Sequence, residues 1–292
     1  MKRVQSLSEL PASMELAASE AGAAFGDARV YLERFVSRAR HVEVQILGDG
    51  QGRVIHLGER DCSVQRRYQK LLEETPAPDL PQSLCRRLHE AAVCFGQRLS
   101  YRGAGTVEFL VDRERDAYFF LEMNARIQVE HPVTEEVTGM DLIAEQIAIA
   151  EGSGLRRTQA EVRRRGCALE CRINAEDPRQ DFAPSPGLVA EARWPTGSGI
   201  RVDTHIRSGS RVPPYYDSLM AKIIAHGADR AVALERMRRA IAEAHVAGVA
   251  TNLSLHARLL SDEEFAAGGV DTGFVARVMQ RGAAATKGDL DG

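Results

Sequence analysis

Apolar and polar positions alternate most regularly from His41 to Leu47, where Val42, Val44 and Ile46 are interleaved with His41, Glu43 and Gln45. A period of two marks a strand with one apolar and one polar face. Gly48-Asp49-Gly50-Gln51-Gly52 supplies a turn and Arg53-Val54-Ile55-His56-Leu57 returns, which predicts an antiparallel hairpin, one face buried and the other polar. The same criteria predict strands over Val30–Val36, Gly105–Val111, Tyr118–Asn124, Cys167–Asn174 and Gly187–Arg193. Apolar residues recur at helical spacing from Pro11 to Phe25, Pro81 to Leu99, Thr134 to Glu151 and Arg230 to Glu243. Gly26 and Gly152 stand where the first and third of these helices need a terminal cap. The basic stretch Leu155–Arg165 reads as a solvated connection, Pro213–Asp217 as a turn and Gly282–Gly292 as a frayed tail. The fold class is α+β, with antiparallel hairpins prominent.

The chain's 292 residues exceed the size at which a single core tends to divide, about 250 residues, so two domains are expected. A formal charge of −3 gives no bulk attraction to nucleic acid or to an anionic membrane. No window approaches the roughly 18–20 apolar residues of a membrane span, and Met1-Lys2-Arg3-Val4-Gln5 leads into no apolar signal core, so the expected compartment is cytoplasmic. Cys62, Cys85, Cys94, Cys167 and Cys171 form no CxxC pair and read as reduced, mostly buried thiols. Cys167 and Cys171 fall on an expected strand without further ligands nearby, which favours packing over metal binding.

Symmetrical pairing of Gly105–Val111 with Tyr118–Asn124 about a loop at Arg115 sets Glu108 opposite Glu122. Opposed carboxylates are destabilising unless one is protonated, both are solvated, or a divalent cation lies between them. Asn124, two residues beyond Glu122, would add a neutral oxygen to a cation such as Mg²⁺. A solvated outer face is the competing reading of the same spacing. The run then continues with Arg126, Gln128 and Glu130 alternating with Ala125, Ile127 and Val129. If extended, it offers a guanidinium, an amide and a carboxylate suited to a small planar oxyanion and its proton. An amphipathic edge strand has the same pattern. The charged cluster Glu59–Lys70 reads as a surface loop that could contact phosphate or bicarbonate, and His41 as a structural or nucleotide-contacting histidine.

Four segments carry a family resemblance: Glu122-Met123-Asn124-Ala125-Arg126-Ile127-Gln128-Val129-Glu130-His131-Pro132-Val133-Thr134-Glu135, Glu59-Arg60-Asp61-Cys62-Ser63-Val64-Gln65-Arg66-Arg67, Tyr101-Arg102-Gly103-Ala104-Gly105-Thr106 and Glu170-Cys171-Arg172-Ile173-Asn174-Ala175-Glu176-Asp177-Pro178. In their order along the chain they resemble the biotin carboxylase component of acetyl-CoA carboxylase and its relatives, from Met1 to about Met279. The resemblance implies the carboxyl-terminal part of an ATP-grasp domain followed by the biotin carboxylase C-terminal domain. Its divisions would be residues 1–32 for the rest of the lid subdomain, 33–165 for the core, 166–280 for the C-terminal domain and 281–292 for a disordered tail. It further implies ATP-dependent carboxylation of biotin on a carrier protein, with bicarbonate activated as carboxyphosphate. ATP, Mg²⁺ or Mn²⁺ and carrier-bound biotin would be the cofactors and substrates.

Carried over by position, Glu108, Glu122 and Asn124 would hold the metal. Glu33, Arg34, Phe35, Val36, His41, Gln65, Tyr68, Glu108 and Glu122 would bind ATP. Lys70, Arg126, Gln128 and the backbone of Val129 would bind bicarbonate. Arg126, Glu130 and Arg172 would be catalytic, Glu130 as base and Arg172 also binding biotin. A biotin carboxyl carrier protein, carboxyltransferase subunits and a second copy of the chain are the implied partners, and fatty acid biosynthesis the implied setting. Two departures stand out. Tyr68 replaces a histidine common in the family, and Met1-Lys2-Arg3-Val4 aligns just after the family's glycine-rich lid loop, so that loop, two ATP-gripping lysines and the amino-terminal domain are expected to be lacking. An incomplete enzyme is therefore the expectation, with a non-catalytic binding or dimerisation module as the alternative. Another ATP-grasp ligase would share the acidic pair without the Arg172 motif. The absence of an Ala-Met-Lys-Met biotinylation motif points to a stand-alone subunit.

Overall fold

The computed structural model describes residues 2–288, with side chains as far as residue 282. The chain divides into two units, residues 1–37 and 38–292. In the first, helix α1 (Leu10–Phe25) has a proline in its first turn and ends on Gly26, whose φ of 71° is the left-handed conformation that glycine adopts without strain. The strand expected over Val30–Val36 does not form. A strand needs a neighbour to complete its ladder, this unit offers none, and Tyr31, Leu32 and Phe35 remain exposed. Arg3 instead lies over the Phe35 ring at 4.2 Å.

The second unit is built on one antiparallel sheet of eight strands. In chain order these are β1 (Arg40–Asp49), β2 (Val54–Arg66), β3 (Gln69–Thr75), β4 (Arg102–Asp112), β5 (Ala117–Asn124), β6 (Cys167–Asn174), β7 (Ile200–Thr204) and β8 (Leu219–Gly227), and their order across the sheet is β7-β8-β6-β3-β2-β1-β4-β5. The sheet is continuous across residue 165, because β3 pairs with β6. The stretch expected as one strand over Gly187–Arg193 is two short pieces, Gly187–Leu188 and Glu191–Arg193, each paired with a different partner.

The expected hairpin is present, but its polar face is not solvated. Val42, Val44 and Ile46 pack with Val107, Phe109 and Val111 beneath helix α2 (Gln82–Arg98), while His41, Glu43 and Gln45 on the other face are buried as well. The Glu59–Lys70 cluster is not a surface loop either. Most of it continues β2, with Glu59, Arg60, Asp61 and Ser63 buried, and a two-residue turn at Arg67-Tyr68 leads into β3. Arg60 and Asp61 enter the interior paired with Glu43 and Arg40 of β1, and Glu59 paired with His89 of α2 and Arg164, which is the condition under which burial of charge is tolerated.

The helix expected over Thr134–Glu151 is two, α3 (His131–Thr138) and α4 (Leu142–Ala150). Gly139, with a φ of 65°, closes the first, and the Asp141 side chain accepts from Ala144 N at 2.8 Å to open the second. Helix α3 lays Val133 and Val137 on Ala168 of β6 and Ile224 of β8. On the opposite face, Leu169, Cys171 and Ile173 of β6 join the largest core with α5 (Arg230–Glu243), α6 (Leu253–Ser261), α7 (Glu263–Ala267) and α8 (Phe274–Gly288). The connection Leu155–Arg165 is only partly solvated, since Leu155 is buried and Arg164 bonds Glu59 at 2.8 Å. The tail expected to fray from Gly282 continues α8 to Gly288, and residues 289–292 lie outside the described residues. Cys62 and Cys171 are buried and Cys94 exposed, all five cysteines being free.

Candidate active site

One transverse row of the sheet, Arg60–Glu43–Glu108–Glu122, crosses β2, β1, β4 and β5 in register. The expected opposition of Glu108 and Glu122 is therefore present, with a bulge directly after it that shifts Phe109 to Phe120. Asn124 bridges the two acids, its Nδ2 donating to Glu108 Oε1 at 3.1 Å and Glu122 Oε1 at 3.0 Å. Glu108 is buried and collects further donors. His41 Nε2 lies 2.8 Å from Oε2, and Lys70 Nζ and Gln128 Nε2 lie 2.9 Å and 3.4 Å from Oε1. Gln65 Nε2 is 3.2 Å from His41 Nδ1, so donation by the amide leaves the histidine proton on Nε2, facing Glu108.

Lys70 is the hub. Its ammonium donates to Glu43 Oε2 at 2.6 Å, Glu130 Oε1 at 2.7 Å and Glu108 Oε1. Arg60 completes Glu43 at 2.6 Å and extends to Gln45 Oε1 at 2.8 Å and Thr134 Oγ1 at 3.0 Å. Burial acts to raise the Glu43 carboxyl, but the charges of Lys70 and Arg60 outweigh it and hold it at about 2. Glu108 is likewise pushed up by burial and brought down to about 2 by the His41 hydrogen bond and the Lys70 charge. Burial disfavours the Lys70 cation, and Glu43 foremost reverses this, so the ammonium holds its proton more tightly than usual.

Arg172 on β6 approaches from the other side. Its Nε donates to Glu73 Oε1 at 2.6 Å and its Nη2 to Glu130 Oε2 at 2.9 Å, so Glu130, fully buried, is gripped by both Lys70 and Arg172. Lys222, opposite Arg172 on β8, donates to the Val129 carbonyl at 2.9 Å. Residues 125–130 are not the extended run expected. They turn into α3, with Glu130 just before its first residue, and that turn points Glu130 inward while Arg126 stays exposed. Arg126 Nη1 bonds only neutral groups, Gln128 Oε1 at 3.1 Å and the Ile127 carbonyl at 3.2 Å.

His41, Gln65, Lys70, Glu108, Glu122, Asn124, Gln128, Glu130 and Arg172 are thus joined in one hydrogen-bonded cluster, with Arg126 and the Val129 carbonyl at its edge. Tyr68, at the hairpin turn with φ 68°, is 74% exposed and stands apart. Glu33, Arg34, Phe35 and Val36 belong to the first unit as an irregular, largely exposed stretch. Sequence reasoning missed Glu43, Arg60, Glu73 and Lys222. A bulge between Val44 and Ile46 moves Glu43 one position from the partner that the turn alone would assign, so its pairing with Arg60 is hidden from simple register counting.

Among the described residues, two sets of side chains bring potential metal-ligand atoms within 4.8 Å of one another, His41, Glu43 and Glu108, and Glu43, Cys62 and Glu130. In both, Lys70 already donates to the carboxylates. Glu108, Glu122 and Asn124 form a different set, all oxygen once the Asn124 amide is turned over, and Glu122 is exposed to solvent; this donor chemistry fits a hard divalent cation. Among the described residues no helix is long and apolar enough to cross a membrane.

Residues 1–158 match the profile of the carbamoyl-phosphate synthase L chain ATP-binding domain, and residues 170–277 that of the biotin carboxylase C-terminal domain. The biotin carboxylase of Nostoc sp. is 53% identical over 275 residues, covering 94% of this chain and 61% of that protein. A Campylobacter jejuni biotin carboxylase solved as a beta-gamma-ATP complex superposes with a TM-score of 0.90 at 42% identity, covering 95% of this chain and 61% of that one. The biotin carboxylase domain dimer of Hydrogenobacter thermophilus 2-oxoglutarate carboxylase, solved with MgADP, ADP and bicarbonate, gives 0.88 at 43%, covering 92% and 59%. The chain thus spans about six-tenths of the length of these relatives.

Proposed function

The chain belongs to the biotin carboxylase family, and from that premise we propose that it takes part in the ATP-dependent carboxylation of biotin with bicarbonate. The observation that carries this reading is the grip of Lys70 and Arg172 on a buried Glu130, beside an exposed Arg126 that has no carboxylate partner among the described residues. In this reading Arg126, Gln128, Lys70 and the Val129 backbone hold bicarbonate through charge-assisted hydrogen bonds. Glu130 takes its proton as the bicarbonate oxygen attacks the terminal phosphorus of ATP, giving carboxyphosphate and ADP. Carboxyphosphate then breaks into CO₂ and phosphate, the phosphate takes the proton of the biotin ureido N–H, and that nitrogen forms the new bond to the CO₂ carbon, giving the carboxylate. Arg172 faces the negative charge that develops on the biotin ureido oxygen.

Glu108, Glu122 and Asn124 would hold Mg²⁺ or Mn²⁺, which when bound offsets charge on the nucleotide phosphates. His41 and Gln65, locked to each other and to Glu108, would border the nucleotide, with Tyr68 as a further contact. The same reading divides the chain near residue 165, assigns a biotin carboxyl carrier protein, carboxyltransferase subunits and a second copy of the chain as partners, and puts the protein in the cytoplasm within an acyl-CoA carboxylase serving fatty acid synthesis. The fixation of labelled bicarbonate into biotin, dependent on ATP and Mg²⁺, tests it. Glu130→Gln should abolish fixation, and undiminished fixation by that variant would overturn the assignment.

A further inference from the structure

Glu73 on β3 stands directly opposite Glu170 on β6, and both side chains are 0% exposed. Glu73 gives one oxygen to Arg172, while its Oε2 and both oxygens of Glu170 have no hydrogen-bond partner among the described residues. Two ionised carboxylates cannot rest in this arrangement: like charges opposed across a ladder repel, and unpaired buried oxygens forfeit their solvation. A proton on one of them removes the repulsion and creates the missing donor. The surroundings select which. Glu170 faces Glu73 from β3, Arg172 along its own strand, Lys222 from β8 and Glu130 ahead of α3, while α3 itself contributes Val133 and Val137 beside Ala168 and Ile224. Lys222 is already committed to the Val129 carbonyl and lies 3.4 Å from Asp203, and Arg172 to Glu73 and Glu130. Glu170 is left with no cation of its own. Burial, then Glu73, pushes its carboxyl well above the usual range, and burial against the pull of Arg172 takes Glu73 up to about 7.

We propose that Glu73 and Glu170 form a buried carboxyl pair that shares one proton, with Glu170 as its neutral member, and that this pair positions Arg172 toward Glu130. The Glu170 hydroxyl donates to Glu73 Oε2, leaving one negative charge for the guanidinium. The backbone of Arg172 is fixed independently, its carbonyl accepting from Asn252 Nδ2 at 2.9 Å and lying 2.8 Å from His256 Nε2. Only the side chain is left to be set, and it hangs between Glu73 and Glu130. With both members of the pair ionised, the guanidinium would be drawn away from Glu130; with one proton the two pulls balance. Glu73 is thus a positioning residue, and Glu170 the group that allows it to stay buried. The importance of this arrangement rests on the proposed role of Arg172 toward biotin.

Its test does not require turnover. Infrared spectra of the chain labelled with ¹³C-glutamate should show the carbonyl stretch of a protonated, buried carboxyl at neutral pH. That band should vanish in Glu170→Gln, where Glu73 keeps its charge against Arg172, and persist in Glu73→Gln. Nitrogen-15 NMR of the arginine side chains should show a slowly exchanging Arg172 Nε–H, retained in Glu170→Gln and faster by roughly ten-fold or more in Glu73→Gln, the factor for losing one charge-assisted hydrogen bond. If Glu73→Gln does not fold, Glu73→Asp, which keeps the charge but shortens the reach, is read by the same exchange. Absence of the protonated band, its survival in Glu170→Gln, or unchanged exchange when Glu73 is replaced would each overturn the proposal. Failure of the biotin reading would appear instead in the kinetics of Arg172→Lys, which these spectra do not touch.

Discussion

Lys70 Nζ lies 2.7 Å from Glu130 Oε1 and simultaneously serves Glu43 and Glu108, so one ammonium donates to three carboxylates from three other parts of the fold. Removing one partner of a buried ion pair leaves uncompensated charge, at a cost of about 3–5 kcal/mol. Lys70→Met should therefore lower the unfolding free energy by that order in urea titrations. Adding Glu43→Gln to the same chain should recover part of the loss, because it removes one stranded charge. Additive losses in the double variant would show that Lys70 and Glu43 are not coupled.

Stability should pass through a maximum with pH. Glu43 and Glu108 titrate at about 2 in the folded protein against an ordinary 4.5, so their contribution is present above 4.5 and disappears as the pH falls toward 2. Each is worth on the order of 3 kcal/mol at most. Glu73 runs the other way. Raised to about 7, it stabilises the fold below 4.5 and loses that contribution as the pH rises through 7. Unfolding free energy measured from acid to mildly alkaline pH should fall on both sides.

The helices and strands that the sequence announces best are those whose periodicity meets one apolar core: α2, α5 and β4 lie within a few residues of their expected spans. The Glu108–Glu122 opposition follows from a turn centred on Arg115, but the register beside the loop, Asp112 against Ala117, would set Glu108 against Leu121, and the bulge between Glu108 and Phe109 is what brings Glu122 opposite. What could not be read was the fate of the polar faces. Alternation in β1 says that His41, Glu43 and Gln45 share a face, but not that Arg60 and Lys70 will bury it with them. Those partners come from β2 and β3, whose density of charge reads as surface in one dimension. The same limit hid the inward turn of Glu130: periodicity continues an extended pattern through residues 126–130, while the chain in space begins a helix there.

The break between α3 and α4 rests on two local devices that can be tested separately from the site. Asp141→Ala removes the side-chain acceptor for Ala144 N and should cost about 1 kcal/mol. Gly139→Ala imposes a Cβ at a φ of 65° and should cost a similar amount, about 1 kcal/mol, although nothing lies within 4 Å of the added atom. Thermal melts of the two variants should show comparable losses, with hydrogen exchange accelerated over residues 131–150 and unchanged in β7 and β8.

Arg126 separates function from stability most cleanly. Its guanidinium bonds one side-chain amide oxygen and one carbonyl, both within two residues, and is exposed, so truncation leaves no buried charge behind. Arg126→Ala should change the unfolding free energy by less than about 0.5 kcal/mol, as expected for a surface substitution. If this group is the fork that receives bicarbonate, the same change should lower kcat/KM for bicarbonate by roughly 100-fold or more, the scale of losing a donor aimed at reacting oxygens. Arg126→Lys should recover little, because a point charge cannot reproduce two parallel donors. Full bicarbonate-dependent turnover in the alanine variant would remove Arg126 from the site and leave Lys70 and Gln128 as the only side chains proposed to hold that anion.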